Sequence, residues 1–235
     1  MSSWFIRFDR YGEVHMVRAQ DRVVKNGADV SNSCGIASIL MVNFKVKKHL
    51  ILRGFQAGAA VSAVPVVGTF VGAAIARGSI EEAVKGEPEI YRIYGGVVGS
   101  TYDGSSYTDC TKHPDVLRKL SLGEWEAAWV GPNGMFDAIK AALAGGYPCI
   151  VRCGWNAGGG HFMVVDEVNT EGRTTISVCD PWDGELRIVD AASNATINYD
   201  PAANTNYSFS VGERHEYAAA SPGTLSGWIV RKKTA

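Results

Sequence analysis

Apolar and polar residues alternate in two short stretches near the start of the chain, 4–8 and 13–18, with Tyr11-Gly12 between them. Alternation with a period of two is typical of half-buried strands, and a short turn between such stretches predicts a β-hairpin. From Cys34 onward the apolar side chains instead recur at helical spacing, and Ser and Asn residues just before it are suitable N-caps. The start of the chain therefore predicts a hairpin followed by a buried helix.

A long apolar stretch follows this helix. Residues 54–76 carry no charged side chain and consist mainly of Ala, Gly and Val. The length would suit a membrane span, but Pro65 interrupts the run and favours two short helices joined at that point. We expect a helical insertion over about 54–90, buried in the protein or covered by a partner. A membrane or a protein partner for 54–76 remains open from the sequence.

The second half of the chain predicts one helix and then several strands. Residues 133–144 have a helical apolar face that ends at Gly145-Gly146. Gly/Ser-rich 95–112 and Ala/Asn/Ser-rich 190–224 are typical of loops. The predicted strands are 148–153, 161–168, 174–180, 185–189 and 225–231. Helices followed by hairpin-linked strands indicate an α+β class with an antiparallel sheet, in one domain over 1–235.

Composition narrows the range of functions. Apolar residues are 46% of the 235 residues, which is enough for a core, and the net charge of −1 gives no reason to expect a nucleic-acid partner. Arg7, Asp9 and Arg10 interrupt any apolar N-terminal run, so no cleaved secretory signal is expected. We expect a cytoplasmic protein, or one secreted without such a signal.

The five cysteines are odd in number and their spacing matches no zinc pattern, so we expect no metal, no cofactor and free thiols. Cys149, Cys153 and Cys179 fall in apolar strands and are expected to be buried there. Free thiols are typical of a reducing compartment.

Three local features carry candidate chemistry. Cys34-Gly35 opens a helix, where the helix dipole favours a thiolate and the backbone N–H of Cys34 is available to an oxyanion. His161 follows three glycines at the start of a strand, and Asp180 ends the next strand of the same hairpin. Pairing of these strands should bring Asp180 beside His161, where a carboxylate can fix the tautomer of an imidazole.

The order Cys, His, Asp on these elements resembles the papain-like cysteine proteases. The similarity is to a compact branch that includes bacteriocin-leader peptidases, and to secreted papain-like effector proteases of bacteria. It covers 29–44 and 134–188. It implies a nucleophile helix packed on an antiparallel sheet, with Cys34 as nucleophile, His161 as base and Asp180 as the residue that orients the base.

One position departs from this pattern. The family places a Gln six residues before the cysteine as a side-chain donor to the oxyanion, and here that position is Ala28. Asn32, Gln20 and Asn26 are the nearby amides that could substitute, and Asn32 is favoured because it lies nearest in sequence to Cys34. The substrate cleft is expected to be edged by Gly35, Trp155, Gly159, Gly160 and Trp182.

These features predict a thiol peptidase that cleaves a peptide or protein substrate through an acyl-enzyme on Cys34. An amidase, deamidase or transglutaminase-like acyl transferase would use the same thioester and remains an alternative. A second alternative is an inactive papain-like binding module that acts through 54–76.

Overall fold

The structure is a computed structural model, and it describes residues 4–9, 12–62, 86–203 and 222–233, without the side chains of 49–62. The predicted junction of two helices at Val64-Pro65 lies outside the described residues. Among the helices that are described, none combines the length and the apolar character that a membrane crossing requires.

The N-terminal residues form a β-hairpin, as the alternation predicted. Strand β1 (Trp4–Phe8) pairs antiparallel with β2 (Val14–Arg18). A second, smaller hairpin follows, made by β3 (Val24–Lys25) and β4 (Ala28–Asp29). Both hairpins precede the first helix, which starts with Cys34.

Four α-helices lie in the described residues. The first is longer than predicted, and the second and third were not predicted. They are α1 (Cys34–Ser62), α2 (Glu87–Val98), α3 (His113–Lys119) and α4 (Met135–Ala144). The insertion predicted from residue 54 does not begin a new helix, because 54–62 continue α1. Residues 95–98, predicted as loop, are the last turn of α2, which ends at Gly99 in the left-handed conformation that glycine favours.

The main sheet has seven antiparallel strands. They are β5 (Trp125–Trp129), β6 (Cys149–Trp155), β7 (Gly160–Asn169), β8 (Thr175–Asp180), β9 (Glu185–Asp190), β10 (Asn198–Tyr199) and β11 (Gly223–Lys232). Their order is β10-β11-β6-β7-β8-β9, and β5 pairs with the C-terminal half of β11. Strands β5 and β10 were missed, and β10 falls inside the predicted loop 190–224.

Apolar residues cover both faces of this sheet. Neighbouring residues of a strand point to opposite faces, and in the central strands both sets of residues are apolar. Ile150, Phe162 and Val164 face α1 and share a core with Ile36 and Leu40. The opposite face packs on α4 in a second core, whose members include Cys149, Val151, Cys153, Met163 and Val165. The protein is therefore an α+β protein in which α1 and the sheet together hold the region around Cys34.

Candidate active site

Cys34 is the first residue of α1, as predicted, and its side chain is 5% exposed. The first N–H groups of a helix have no partner within the helix, so the backbone around Cys34 presents donors and the positive end of the helix dipole. A negative charge on the sulfur, or on an oxygen bound beside it, is stabilised at this position.

His161 and Asp180 form the predicted pair. His161 lies near the start of β7, Asp180 ends β8, and the two strands pair directly. The Nε2–H of His161 donates a hydrogen bond of 2.7 Å to Oδ1 of Asp180. Both side chains are buried, at 2% and 0% exposure. This bond fixes the orientation of the ring and leaves Nδ1 as the nitrogen that is available to exchange a proton with another group.

The Cys34 sulfur lies near enough to the His161 imidazole for its charge to act on the ring. Burial alone would lower the pKa of His161, but the charge of Asp180, the charge of Cys34 and the hydrogen bonds to both outweigh it and raise the pKa to about 10. The imidazolium form is therefore the stable one at neutral pH.

The Asp180 carboxylate is held by two residues that the sequence did not suggest. Arg187 of β9 donates to Oδ2 at 3.3 Å, and the Tyr199 hydroxyl of β10 donates to the same oxygen. Burial would raise the pKa of Asp180, but the charge and hydrogen bond of His161, with Arg187 and Tyr199, lower it well below its usual range. Tyr199 lies in the segment 190–224, which was predicted as a loop. Its hydroxyl group, which can donate a hydrogen bond, was the only feature in the sequence that could have suggested this role.

Aromatic rings enclose the histidine, and two of them belong to Trp155 and Trp182, which were predicted to edge the cleft. Trp155 stacks on the His161 ring at 5.5 Å between centroids, and Trp182 meets it edge-on at 6.1 Å. Gly158 and Gly159 are exposed and have positive φ angles of 94° and 87°. Tyr107, which the sequence analysis missed, is 69% exposed, and its hydroxyl lies 4.0 Å from the position of a Cβ on Gly159.

Two of the three proposed oxyanion donors are wrong. Both bonds of the Asn32 side-chain amide go to backbone carbonyls, Val30 at 3.1 Å and Ser105 at 2.9 Å, so this amide anchors a loop. Asn26 lies exposed in the tight turn between β3 and β4, with φ of 51°. Nearness in sequence to Cys34 misled the prediction, because the local turn and loop determine where each amide points.

Gln20 is the remaining candidate. Its backbone N–H donates to the carbonyl of Pro181 at 2.6 Å, which places Gln20 beside the residue that follows Asp180. Its side chain is 6% exposed, and its buried Oε1 has no hydrogen-bond partner among the described residues. An amide oxygen accepts, so only the Nε2–H group of Gln20 could donate to an oxyanion. Of the three proposed amides, Gln20 is the one that is neither bound to backbone carbonyls nor placed in an exposed turn, and it stays the predicted side-chain donor.

Gly35 has a packing role and does not line the cleft. A Cβ at this position would collide with Oγ1 of Thr108 and stand 2.9 Å from the His113 ring. His113 is fully buried, donates or accepts a 3.0 Å hydrogen bond with Thr108, and has a pKa lowered by burial to about 4. The prediction that Gly35 admits substrate is corrected, because Thr108 and His113 already occupy that space.

A second polar cluster joins β2, β7 and β8, and it does not include His161 or Asp180. His15 contacts Asp166 at 3.1 Å, and potential ligand atoms of His15, Asp166 and Cys179 lie within 4.8 Å of one another. Such a set resembles a metal site. However, the Lys45 ammonium is bound to Asp166, and although burial lowers the pKa of His15, hydrogen bonds to Asp166 and Cys179 raise it to about 10. Two protonated cations already balance the carboxylate, so the cluster is a buried ion-pair network.

The reactive pair is enclosed. Three surface cavities, of about 340, 530 and 740 Å³, lie elsewhere, and none of these three is lined by Cys34, His161 or Asp180. All five cysteine sulfurs are free and buried, including the three predicted to be buried in strands. Exposure does not single out Cys34, since its 5% lies between the 9% of Cys110 and the 0% of the other three.

Comparison with known proteins gave no family model that matches the chain and no curated protein that matches it. The chemistry of the site is therefore argued from its own geometry.

Proposed function

We propose that this protein is a cysteine hydrolase of the papain-like type, and that it cleaves a peptide or protein substrate through an acyl-enzyme on Cys34. One observation carries the proposal. A thiol at a helix N-terminus lies near an imidazole whose Nε2 is held by a buried carboxylate. This is the arrangement that an activated thiol nucleophile requires.

The reaction begins with the Cys34 thiolate and the His161 imidazolium. The sulfur attacks the acyl carbonyl, and the backbone N–H of Cys34 with the Gln20 amide stabilises the oxyanion. The Nδ1–H of His161 protonates the leaving amine, which gives a thioester. Water then attacks the thioester, gives a proton to His161, and releases the acid and the thiolate.

Asp180 keeps His161 in the useful orientation through both steps. Since the Nε2–H is bound to Asp180, the ring cannot turn Nε2 toward the thiol without breaking a buried hydrogen bond to a charged group. The carboxylate also stabilises the imidazolium that protonates the leaving group.

The test is alkylation of the protein with iodoacetamide at pH 6, followed by peptide mapping, in the wild type and in His161→Ala. An ordinary thiol has a pKa near 8.5 and reacts slowly at this pH. We expect Cys34 to be alkylated at least about tenfold faster than Cys110, and this advantage to disappear in His161→Ala.

His15→Gln is the matched control, because it removes another buried histidine that does not contact Cys34. It should leave the rate of Cys34 alkylation unchanged. If Cys34 reacts no faster than Cys110 in the wild type, the thiolate–imidazolium pair does not exist and the proposal is overturned.

A further inference from the structure

Arg152 occupies an unusual position beside the catalytic histidine. It lies on β6, where its backbone pairs with that of Phe162 on β7. Its guanidinium lies across Gly160, with Cζ 2.6 Å and Nε 2.8 Å from the position that a Cβ on Gly160 would take. The glycine leaves room for the guanidinium directly before His161 in the chain.

The guanidinium has no counter-charge within the described part of the chain. Seven other described arginines each bind a carboxylate, and these are Arg7, Arg18, Arg22, Arg118, Arg173, Arg187 and Arg231. Arg92 makes no such pair either, but it is exposed to solvent on α2. Arg152 is half-buried. A partly desolvated cation gains most from an anion that arrives with a ligand.

Arg152 faces the same side of the sheet as Cys34. Ile150 lies two residues before Arg152 on β6 and therefore points to the same face, and Phe162 is paired with Arg152 across the strands. Both residues pack in the core that contains Cys34. Its charge also reaches Cys110 in the loop beyond, because burial raises the pKa of the Cys110 thiol while Arg152 opposes that rise. The guanidinium therefore lies over Gly160, on the face of the sheet that packs against the Cys34 core, and within electrostatic range of Cys110.

The position of the guanidinium limits which substrate residue it can bind. The guanidinium contacts Gly160, which is adjacent to His161, and an extended substrate advances about 3.3 Å per residue. A substrate carboxylate bound by Arg152 therefore belongs to a residue within about two positions of the scissile bond.

We propose that Arg152 is a specificity residue that binds a carboxylate of the peptide substrate next to the scissile bond. This inference rests on the proposed hydrolase function and narrows its substrate class. The planar guanidinium can bind a carboxylate through two parallel hydrogen bonds. The carboxylate can belong to an Asp or Glu side chain, or to the C-terminus of a peptide.

The first experiment needs no substrate. Cys34 is alkylated with iodoacetate, which is an anion, and with iodoacetamide, which is neutral, in the wild type, Arg152→Gln and the matched control Arg92→Gln. The ratio of the iodoacetate rate to the iodoacetamide rate should fall about tenfold in Arg152→Gln, the smallest change expected for a lost hydrogen bond to a charged group. It should be unchanged in Arg92→Gln.

The second experiment identifies the source of the carboxylate. Fluorogenic peptides carry Glu, Gln or Lys at each of two positions on either side of the cleaved bond, and each is made with a free and an amidated C-terminus. Wild type should prefer Glu over Gln at one position, or the free over the amidated terminus, by about tenfold in kcat/KM. Arg152→Gln should lose the preference, and Arg152→Lys should keep part of it.

The outcomes separate this inference from the proposed function. If Cys34 reacts rapidly with iodoacetamide but the iodoacetate ratio is the same in wild type and Arg152→Gln, Arg152 does not bind anions and the inference is wrong while the hydrolase proposal stands. Wild type that cleaves Gln and Lys peptides as fast as Glu peptides, with no preference at the C-terminus, also overturns it. A slowly reacting Cys34 overturns the hydrolase proposal, and this inference with it.

Discussion

Asp180 carries a negative charge without any exposure to solvent, and donors from four described residues bind its carboxylate. Oδ1 accepts from Nε2 of His161 and from the backbone N–H of Trp182, while Oδ2 accepts from Arg187 and Tyr199. Arg187 also binds Asp183 at 2.7 Å and 2.9 Å. A buried carboxylate is tolerated only when it is paired and hydrogen-bonded, so each donor stabilises the site as well as orienting the histidine.

Removal of these donors should destabilise the protein in a defined order. Tyr199→Phe removes one hydrogen bond to a charged group and should lower the free energy of unfolding by about 2 kcal/mol. Arg187→Met leaves buried Asp183 without its cation and Asp180 with His161 as its cation, and it should cost about 4 kcal/mol. Urea unfolding at pH 7 measures both. Arg231→Met breaks a half-exposed pair with Glu126 and serves as control, with a loss below about 1 kcal/mol.

Gln20 should affect catalysis more than folding. Gln20→Ala removes the proposed side-chain donor to the oxyanion and should lower kcat by about 100-fold on any peptide that the wild type cleaves. Iodoacetamide alkylation of Cys34 should be unchanged, because that reaction forms no oxyanion. Asn32→Ala is the comparison, since its amide binds two backbone carbonyls. A loss of kcat in Asn32→Ala with no loss in Gln20→Ala would reverse this assignment.

At the scale of elements, the N-terminal hairpin is joined to the rest of the protein by buried ion pairs. Arg7 of β1 binds Glu185 at 3.2 Å, and His15 of β2 binds Asp166 at 3.1 Å. Asp166 sits where the register of β7 against β8 shifts, and such a bulge points an extra side chain toward the hairpin. Gln20 follows this hairpin directly, so the docking of β1 and β2 sets the position of the oxyanion candidate.

The His15 pair should make the docking of the hairpin depend on pH. The pKa of His15 rises from 6.5 to about 10 on folding, so its stabilisation is complete below pH 6.5 and is lost as pH rises through 10. His15→Gln should lower the free energy of unfolding by about 3 kcal/mol at pH 6, and the difference from wild type should shrink steadily by pH 10.

Urea unfolding of both variants between pH 6 and 10 measures this difference. His161 titrates in the same range but is present in both variants, so its contribution cancels. A difference that stays constant across the range would mean that His15 stabilises the hairpin by packing alone.

At the scale of the whole molecule, the sheet is covered on both faces, and charged groups are buried at its end and along β8. Folding raises the pKa of some of these groups and lowers the pKa of others, so they stabilise the protein in different pH ranges. His15 and His161 have raised pKa values and stabilise the protein below pH 6.5. His113 has a pKa lowered to about 4 and stabilises it above pH 6.5, as Asp180 does above its unfolded value of 3.8.

Glu87 opposes His113, because burial raises its pKa from 4.5 to about 7 and its stabilisation is lost as pH rises through that value. We therefore expect the free energy of unfolding to be nearly constant between about pH 4.5 and 6.5, to fall toward pH 10 as His15 and His161 lose protons, and to fall below pH 4 from Asp180. Urea unfolding of wild type from pH 3 to 10 measures the curve. In His113→Gln the effect of Glu87 is unopposed, so the free energy of unfolding should rise from pH 6.5 toward pH 4.5, with the alkaline side unchanged.

Much of the fold and the Cys34, His161 and Asp180 positions followed from local signals. A period of two predicts strands and a helical period predicts helices, because each depends on neighbours within a few residues. The hairpin between β7 and β8 then brings His161 to Asp180 as a consequence of chain geometry. The helix α2 and the short strand β10 were missed, since their pattern is weak and packing against distant segments stabilises them.

The sequence by itself determined which residues could form the catalytic pair, and that the chain folds as an α+β protein with an antiparallel sheet. Only the tertiary structure decided that Gln20 rather than Asn32 has an available amide, that Gly35 is covered by Thr108, and that Arg152 lies over Gly160. Each of these depends on segments far apart in the chain. The partners of a side chain depend on which distant segments the folded backbone brings next to it. A local sequence pattern carries no information about those segments.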